Sequence, residues 1–385
     1  MAKSNYSSVP AASLAKALGA VVRASGKDPY QMVHVQSENG KLSVRCFNGL
    51  MGILAIIAAE DKGNAFDATI DAQAFASLVS SMNAAVTLSP SGKNGLQVQS
   101  GSVDVTLKGI NKTLPEFEDK DAKKVLTING QDLLDLFRVG SCAATDVALA
   151  CAAVLMNVSS GETSSWATDS FRAATCVKAV SGETANILLP LTLVNWMRSI
   201  SPRASVTVKS SEKRVTFEAD DSGNMVKITS PVNDASKYPA LSKIFDAMFA
   251  ASGIKFTLDA GTMSKAARQA KTLGADTVAL HTDNGNLYLR GKSQTASYNN
   301  TISKVDGEIA IFLDPQFLSE GMGLFADSPE VLFLDTKKPL CAKEGDLRIL
   351  FMPKNPPVEK KVEEAEALEA TPVAVSVDQP AEVAI

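Results

Sequence analysis

Apolar residues return at helical spacing six times along the chain. Leu14, Leu18, Val21 and Val22 fall at i, i+4, i+7 and i+8, one stripe of a helix. Val194, Met197 and Ile200 repeat the pattern. Each stripe follows a short apolar run of strand character, as in "FDATIDAQAFASLVSSM" and "EIAIFLDPQFLSEGM". Three of these strand–helix segments, anchored at Leu14, Leu133 and Met263, stand 119 and 130 residues apart. The other three, anchored at Phe75, Val194 and Leu318, stand 119 and 124 apart. Asp71, Asn129, Asp259 and Asp314 occupy positions where a side-chain oxygen caps the first turn of a helix.

Period-two stretches fill the intervals. "MVHVQSENGKLSVRCF" and "TVALHTDNGNLYLRG" hold Asn39-Gly40 and Asn284-Gly285 between alternating apolar positions, the strongest short hairpin signal. "LQVQSGSVDVTLKG" and "RVTFEADDSGNMVKIT" read as further hairpins. A repeat of about 120 residues is too long for a solenoid, so the pattern predicts three similar α+β domains. Each is a doubled strand–helix–strands unit. The boundaries fall in "TLPEFEDKDAKK" and "SKYPALSKIFDAMFAASG", giving domains over 1–120, 121–250 and 251–357. Residues 358–385 are rich in Glu, Pro, Ala and Val, lack aromatics and read as a disordered acidic tail.

Charge changes the picture little. The whole chain carries −4. The tail, with seven acidic residues and two lysines, carries −5, so the body is near neutral. That balance neither demands nor excludes a nucleic-acid partner. No run of 18 apolar residues marks a membrane span, and "MAKSNYSSVP" lacks the order of a signal peptide. The five cysteines are scattered and never in CxxC spacing, which points to a reducing compartment and away from zinc. Cys142 and Cys151 lie in an Ala-rich apolar run, where a buried thiol is the expected state. His34 and His281 each sit in a strand pattern. A cysteine-dependent transferase using Cys142 or Cys151 therefore lacks a plausible base. A protein-binding scaffold that forms no ring stays open.

One stretch stands apart. In "SSWATDSFRAAT" Asp169 and Arg172 form a charged turn beside Thr168, with no nucleophile near them in sequence. Far away, the apolar run of "LRILFMPKNPP" stops at Met352-Pro353. Taken in chain order, "TLPEF", "ATDSFRAA", "SKYPAL", "FLDPQFLSEGM" and "ILFMPK" resemble successive segments of the bacterial sliding clamp, the β subunit of DNA polymerase III. The likeness spans roughly 350 residues. It implies a head-to-tail homodimer whose six domains close a ring around duplex DNA, helices inside and sheets outside. A clamp has no catalytic site and no cofactor. It tethers a DNA polymerase, is opened by a clamp loader, and works in the cytoplasm on the nucleoid.

The resemblance also assigns residues. Cys151, Thr168, Ser170, Phe171, Arg172, Ala173, Pro239, Ile244, Leu350, Met352, Pro353 and Lys354 would form the pocket for a partner's peptide. Lys16, Arg23, Lys27, Arg138, Arg198, Arg203, Lys265, Arg268 and Lys271 would face DNA. Val105 and Leu107 of one protomer would meet Leu273 of the other. Departures from the family pattern are local. Its Gly-His is Ser170-Phe171 here, its Leu is Ala173, and its closing Met-Arg-Leu is Lys354-Asn355-Pro356. The helices around Phe75 and Leu318 carry no basic residue, and the second carries Glu320. Such a chain is expected to be a divergent or virus-encoded clamp that prefers a peptide other than the standard bacterial one.

Overall fold

The computed structural model describes residues 5–23, 25–26, 30–146, 149–200, 205–221 and 224–356. Residues up to Lys354 form one compact unit, and 355–385 belong to a second. The body is built from six successive strand–helix–strands units. The first is β1 (Tyr6–Val9), α1 (Ala11–Val22), β2 (Met32–Glu38), β3 (Lys41–Phe47), β4 (Gly52–Ala58) and the short β5 (Glu60–Lys62). The second is β6 (Phe66–Asp71), α2 (Ala72–Ser80), β7 (Val86–Ser91), β8 (Gly95–Ser100) and β9 (Val103–Leu107). The third is β10 (Lys123–Asn129), α3 (Gly130–Phe137), a 3-10 turn (Arg138–Cys142), β11 (Ala153–Val158), β12 (Thr163–Thr168) and β13 (Arg172–Lys178). The fourth is β14 (Ala185–Pro190), α4 (Leu191–Ile200), β15 (Ser205–Ser210), β16 (Arg214–Asp221) and β17 (Asn224–Pro231). An extra helix, α5 (Ser242–Ala250), follows. The fifth is β18 (Ile254–Thr257), α6 (Ala260–Thr272), β19 (Val278–Asp283), β20 (Asn286–Lys292) and β21 (Ser297–Lys304). The sixth is β22 (Ala310–Leu313), α7 (Pro315–Met322), β23 (Glu330–Phe333), β24 (Leu340–Glu344) and β25 (Leu347–Phe351).

The helices arise where the apolar stripes predict them. All six anchors, Leu14, Phe75, Leu133, Val194, Met263 and Leu318, are fully buried. Burying each is worth about 1.5–3 kcal/mol, so the anchors hold the helices onto their sheets. The side chains of Asp71, Asn129, Asp259 and Asp314 accept backbone N–H groups at the starts of α2, α3, α6 and α7. Each satisfies a donor that helix geometry leaves open. Asn39-Gly40 and Asn284-Gly285 take positive φ at both positions, the hairpin turn their side chains permit. Ile200, the last member of the α4 stripe, has its side chain outside the described residues, as do all of Lys27, Arg203 and the tail.

Four antiparallel sheets result, in the orders β5-β1-β7-β8-β9, β10-β15-β16-β17-β4-β3-β2-β6, β14-β11-β12-β13-β25-β24-β23-β18 and β21-β20-β19-β22. Both eight-stranded sheets cross the boundaries expected near 120 and 250. One joins β17 to β4, the other β13 to β25. The helices pack in pairs, α1 on α2, α3 on α4 and α6 on α7, against a continuous apolar core. The segment in which the second domain boundary was placed holds α5. Its Phe245, Met248 and Phe249 pack with Tyr238 and Leu241 on the sheet face opposite the main core. A nine-residue helix with only three such residues is too short to stand out beside Pro239 in sequence.

Candidate partner-binding groove

The β12–β13 turn is built from its own side chains. Asp169 Oδ1 accepts the backbone N–H groups of Phe171 and Arg172, both at 2.9 Å. The Thr168 hydroxyl donates to the Arg172 carbonyl at 2.7 Å and accepts from Ser170 N–H at 3.0 Å. This closed set of bonds holds Ser170 at φ 76°, a left-handed conformation that favours glycine. Replacing Ser170 with glycine is expected to raise stability by about 0.5–1 kcal/mol, the relief of strain less the added chain entropy. A denaturant midpoint at or below that of the wild type would show that the turn is unstrained.

The same turn meets the end of the last strand. β13 pairs with β25 from Arg172–Phe351 to Cys176–Leu347, and Met352 N–H donates to the Phe171 carbonyl at 2.9 Å. Two stretches some 180 residues apart thus run side by side. Strand alternation then sorts the side chains. Ala173 and Leu350 face α5, in a cluster with Ala153, Tyr238 and Phe245, against which half-buried Cys151 also packs. Ile244 at 49% and Met352 at 43% are exposed on segments next to this floor, whereas exposed Phe171, at 61%, turns its ring to Phe317 on the helix side. Pro239 is exposed and Pro353 half-buried beside them in sequence. Ser170 is exposed at the tip of the turn, and Thr168 is buried beneath it.

Two expected pocket residues face elsewhere. Arg172 is only 5% exposed and points to the helix side, as does its partner Phe351. Its Nε meets Asp169 Oδ2 at 2.9 Å, its Nη2 meets Glu320 Oε2 at 2.7 Å, and its guanidinium lies over the Phe317 ring at 4.7 Å. It ties the turn to α7 and is not a free rim group. Lys354 follows a bend of the chain along β22, where its N–H donates to the Phe312 carbonyl. Its Nζ reaches the Asp276 carbonyl and the Asp314 carboxylate that caps α7, at 2.7 and 3.1 Å. Phe317 is the contact that sequence reasoning missed. It stacks on Phe171 with ring centroids 5.8 Å apart. Its place one turn into α7, on the helix with Glu320, was the only available signal.

The remaining assignments are dispersed. Lys16 and Arg23 are exposed on and just after α1, and Lys265, Arg268 and Lys271 are exposed at three-residue intervals on α6. Lys271 lies 3.6 Å from Asp276. Arg138 donates to the Leu324 carbonyl, and Arg198 to the Ser141 hydroxyl at 3.0 Å. Val105 and Leu107 are half-buried on β9, a strand paired on one side only. Leu273, at the C-cap of α6, is exposed. Burial pushes the Cys46, Cys142 and Cys341 thiols up to about 12 and Cys176 to about 11. A reactive thiol needs the opposite shift. His34 accepts from Arg45 Nε at 3.2 Å and has its pKa lowered, chiefly by burial.

On the helix side of the turn lies a cleft of about 650 Å³. Phe171, Arg172, Phe317 and Glu320 line it, together with residues of the 140–149 segment, Arg198 of α4 and Arg268 of α6.

Repeated strand–helix–strands units, paired helices and sheets shared between successive pairs define the fold of the sliding clamps. The solved structures place the likeness along nearly the whole chain. DNA polymerase III subunit beta from Pseudomonas aeruginosa matches with a TM-score of 0.79 and 17% identity, over 91% of this chain and 99% of that one. The DNA polymerase beta subunit of Streptococcus pyogenes matches at 0.78 and 16%, over 91% and 100%. The Helicobacter pylori beta clamp, solved with a DNA ligase peptide, matches at 0.77 and 16%, again over 91% and 100%. No protein-family model matches the sequence, and no curated protein does. The chain therefore has the sliding-clamp fold at low sequence identity.

Proposed function

We propose that the protein is a DNA sliding clamp: a homodimeric ring of three-domain protomers that encircles duplex DNA and tethers a polymerase. The observation that carries the reading is the six-unit fold, matched over 91% of the chain by clamps of three bacteria. In this reading the protomer has three domains, 1–120, 121–250 and 251–357, and Val105 and Leu107 on the β9 edge meet Leu273 of a second copy. A ring that slides must hold phosphates without reading bases. Exposed Lys16, Arg23, Lys265 and Arg268 on the paired helices suit that task. The helix α2 adds no basic residue, and Glu320 of α7 is paired with Arg172, so the lining is patchy rather than uniform. Partners bring a short peptide to the groove of Ala173, Ile244, Leu350 and Met352, whose apolar floor and flexible thioether suit an aliphatic or aromatic anchor. A clamp loader opens the ring, and the setting is cytoplasmic.

The test is topological. Protein loaded on a nicked circular plasmid is expected to stay through gel filtration and to be lost when the plasmid is cut once. Equal retention on linear and circular DNA overturns the ring.

A further inference from the structure

We propose that Phe317 is a positioning residue for partner binding: by stacking on Phe171 it holds that ring off the groove, and without the stack the ring turns in and covers the place of the peptide's anchor. The proposal rests on the partner-binding reading and adds what keeps the groove open.

The strand ladder shows which face Phe171 belongs to. β13 pairs with β25 as far as Arg172–Phe351, and the bond from Met352 N–H to the Phe171 carbonyl carries the pairing one step further. Arg172 and Phe351 point to the helices, whereas Ala173 and Leu350 lie on the groove face. Alternation therefore assigns Phe171 and Met352 to the groove face as well. The Phe171 ring departs from that assignment. It stacks on Phe317 of α7, with centroids 5.8 Å apart and planes 21° from parallel, and lines the helix-side cleft.

The backbone here is fixed, so the side chain is the part that can move. Phe171 N–H is held by Asp169 Oδ1 at 2.9 Å, and its carbonyl by Met352. Rotation about χ1 from one staggered position to another disturbs neither bond. The ring is 61% exposed, so little protein surrounds it. On the groove face its neighbour two residues on is Ala173, with only a methyl group, and Met352 opposite is itself exposed. Turning the ring onto this apolar surface removes it from water, which is favourable, so the stack on Phe317 is what opposes closure. Phe317 is well fixed for that task. Its N–H donates to Asp314, the cap of α7, at 3.3 Å, and the Arg172 guanidinium lies over its ring at 4.7 Å. With the ring held back, the groove is free for a large apolar anchor. With the ring turned in, the chain's own phenylalanine fills that place.

Two measurements on the full chain test this. In the first, Phe171→Trp is the reporter, read against the constant background of Trp166 and Trp196. Adding Phe317→Ala is expected to move the reporter's emission to the blue and to protect it from acrylamide quenching. Unchanged emission, or a red shift into water, overturns the proposal. In the second, labelled Ser-Gly-Leu-Phe-Gly-Ser, a neutral peptide with one aliphatic and one aromatic anchor, is followed by stopped-flow anisotropy. It should associate about fivefold more slowly with Phe317→Ala than with the wild type, the weight of one aromatic stack in the balance of open and closed rings. Its dissociation rate should not change, because closure lowers the competent fraction and leaves the bound contacts alone. Phe317→Tyr keeps the ring and should behave as the wild type. An effect confined to dissociation makes Phe317 a direct contact of the peptide and also overturns the proposal. If the peptide binds none of these proteins while the blue shift appears, the groove reading has failed and the hold of Phe317 on Phe171 stands.

Discussion

Replacing Arg172 with alanine is expected to cost about 3 kcal/mol, read as a lower denaturant midpoint of the first unfolding transition. The side chain joins the β12–β13 turn to helix α7, with nearly all of its surface out of water. Removing it strands Asp169 Oδ2, which is only 11% exposed, without its 2.9 Å partner. It also deletes the guanidinium packed on the Phe317 ring. A cation over an aromatic face contributes about 0.5–2 kcal/mol according to burial. Glu320→Gln provides the contrast. That carboxylate is 42% exposed and rehydrates when its partner weakens, so the loss should stay below about 1 kcal/mol. If Arg172→Ala unfolds within about 1 kcal/mol of the wild type, the guanidinium is not the tie between turn and helix.

The double change Phe171→Ala, Met352→Ala is expected to weaken partner-peptide binding at least thirtyfold, about 2 kcal/mol, with little effect on stability. Both side chains are largely exposed, so neither leaves a core cavity. Their effect comes from the complex, where truncating a large anchor beside an apolar floor removes contact area and admits water. Phe171 has a second function, since its ring is held by Phe317 rather than free to move over the groove. With Ser170-Phe171 in place of the family's Gly-His, the peptide preferred here is expected to differ from the standard bacterial one. Calorimetric titration with the clamp-binding peptide of a partner polymerase decides the first point, and affinity within threefold of the wild type places the binding site elsewhere. Unchanged melting of the variant decides the second.

The six helices were legible because each writes its stripe and its cap within a few residues. Leu14, Leu18 and Val21 recur at the helix period and are all buried, and Asp314 caps α7 as an isolated Asp before a Pro would. The Asn-Gly hairpins were legible for the same reason: a positive φ at two adjacent residues is a local demand met by local chemistry. Pairings across long separations leave no such mark. That β13 lies against β25, bringing Phe171 to Met352, came from the resemblance and not from any pattern in either stretch. The burial of Arg172 was not legible in the sequence. Asp169 and Arg172 look like a charged surface turn, and only the approach of Glu320 and Phe317 from α7 makes the arginine a buried tie. Lys354 was misplaced likewise, because the direction the chain takes after β25 depends on β22 and on the Asp314 cap. The amino-acid sequence by itself determined the elements, their repetition and their caps, since short-range hydrogen bonds and periodic burial are encoded where they act. Which strands share a sheet, which face of β13 meets α5 or α7, and which charges are sealed from water were decided only by the tertiary structure, because burial and ion pairing belong to the groups that folding brings together.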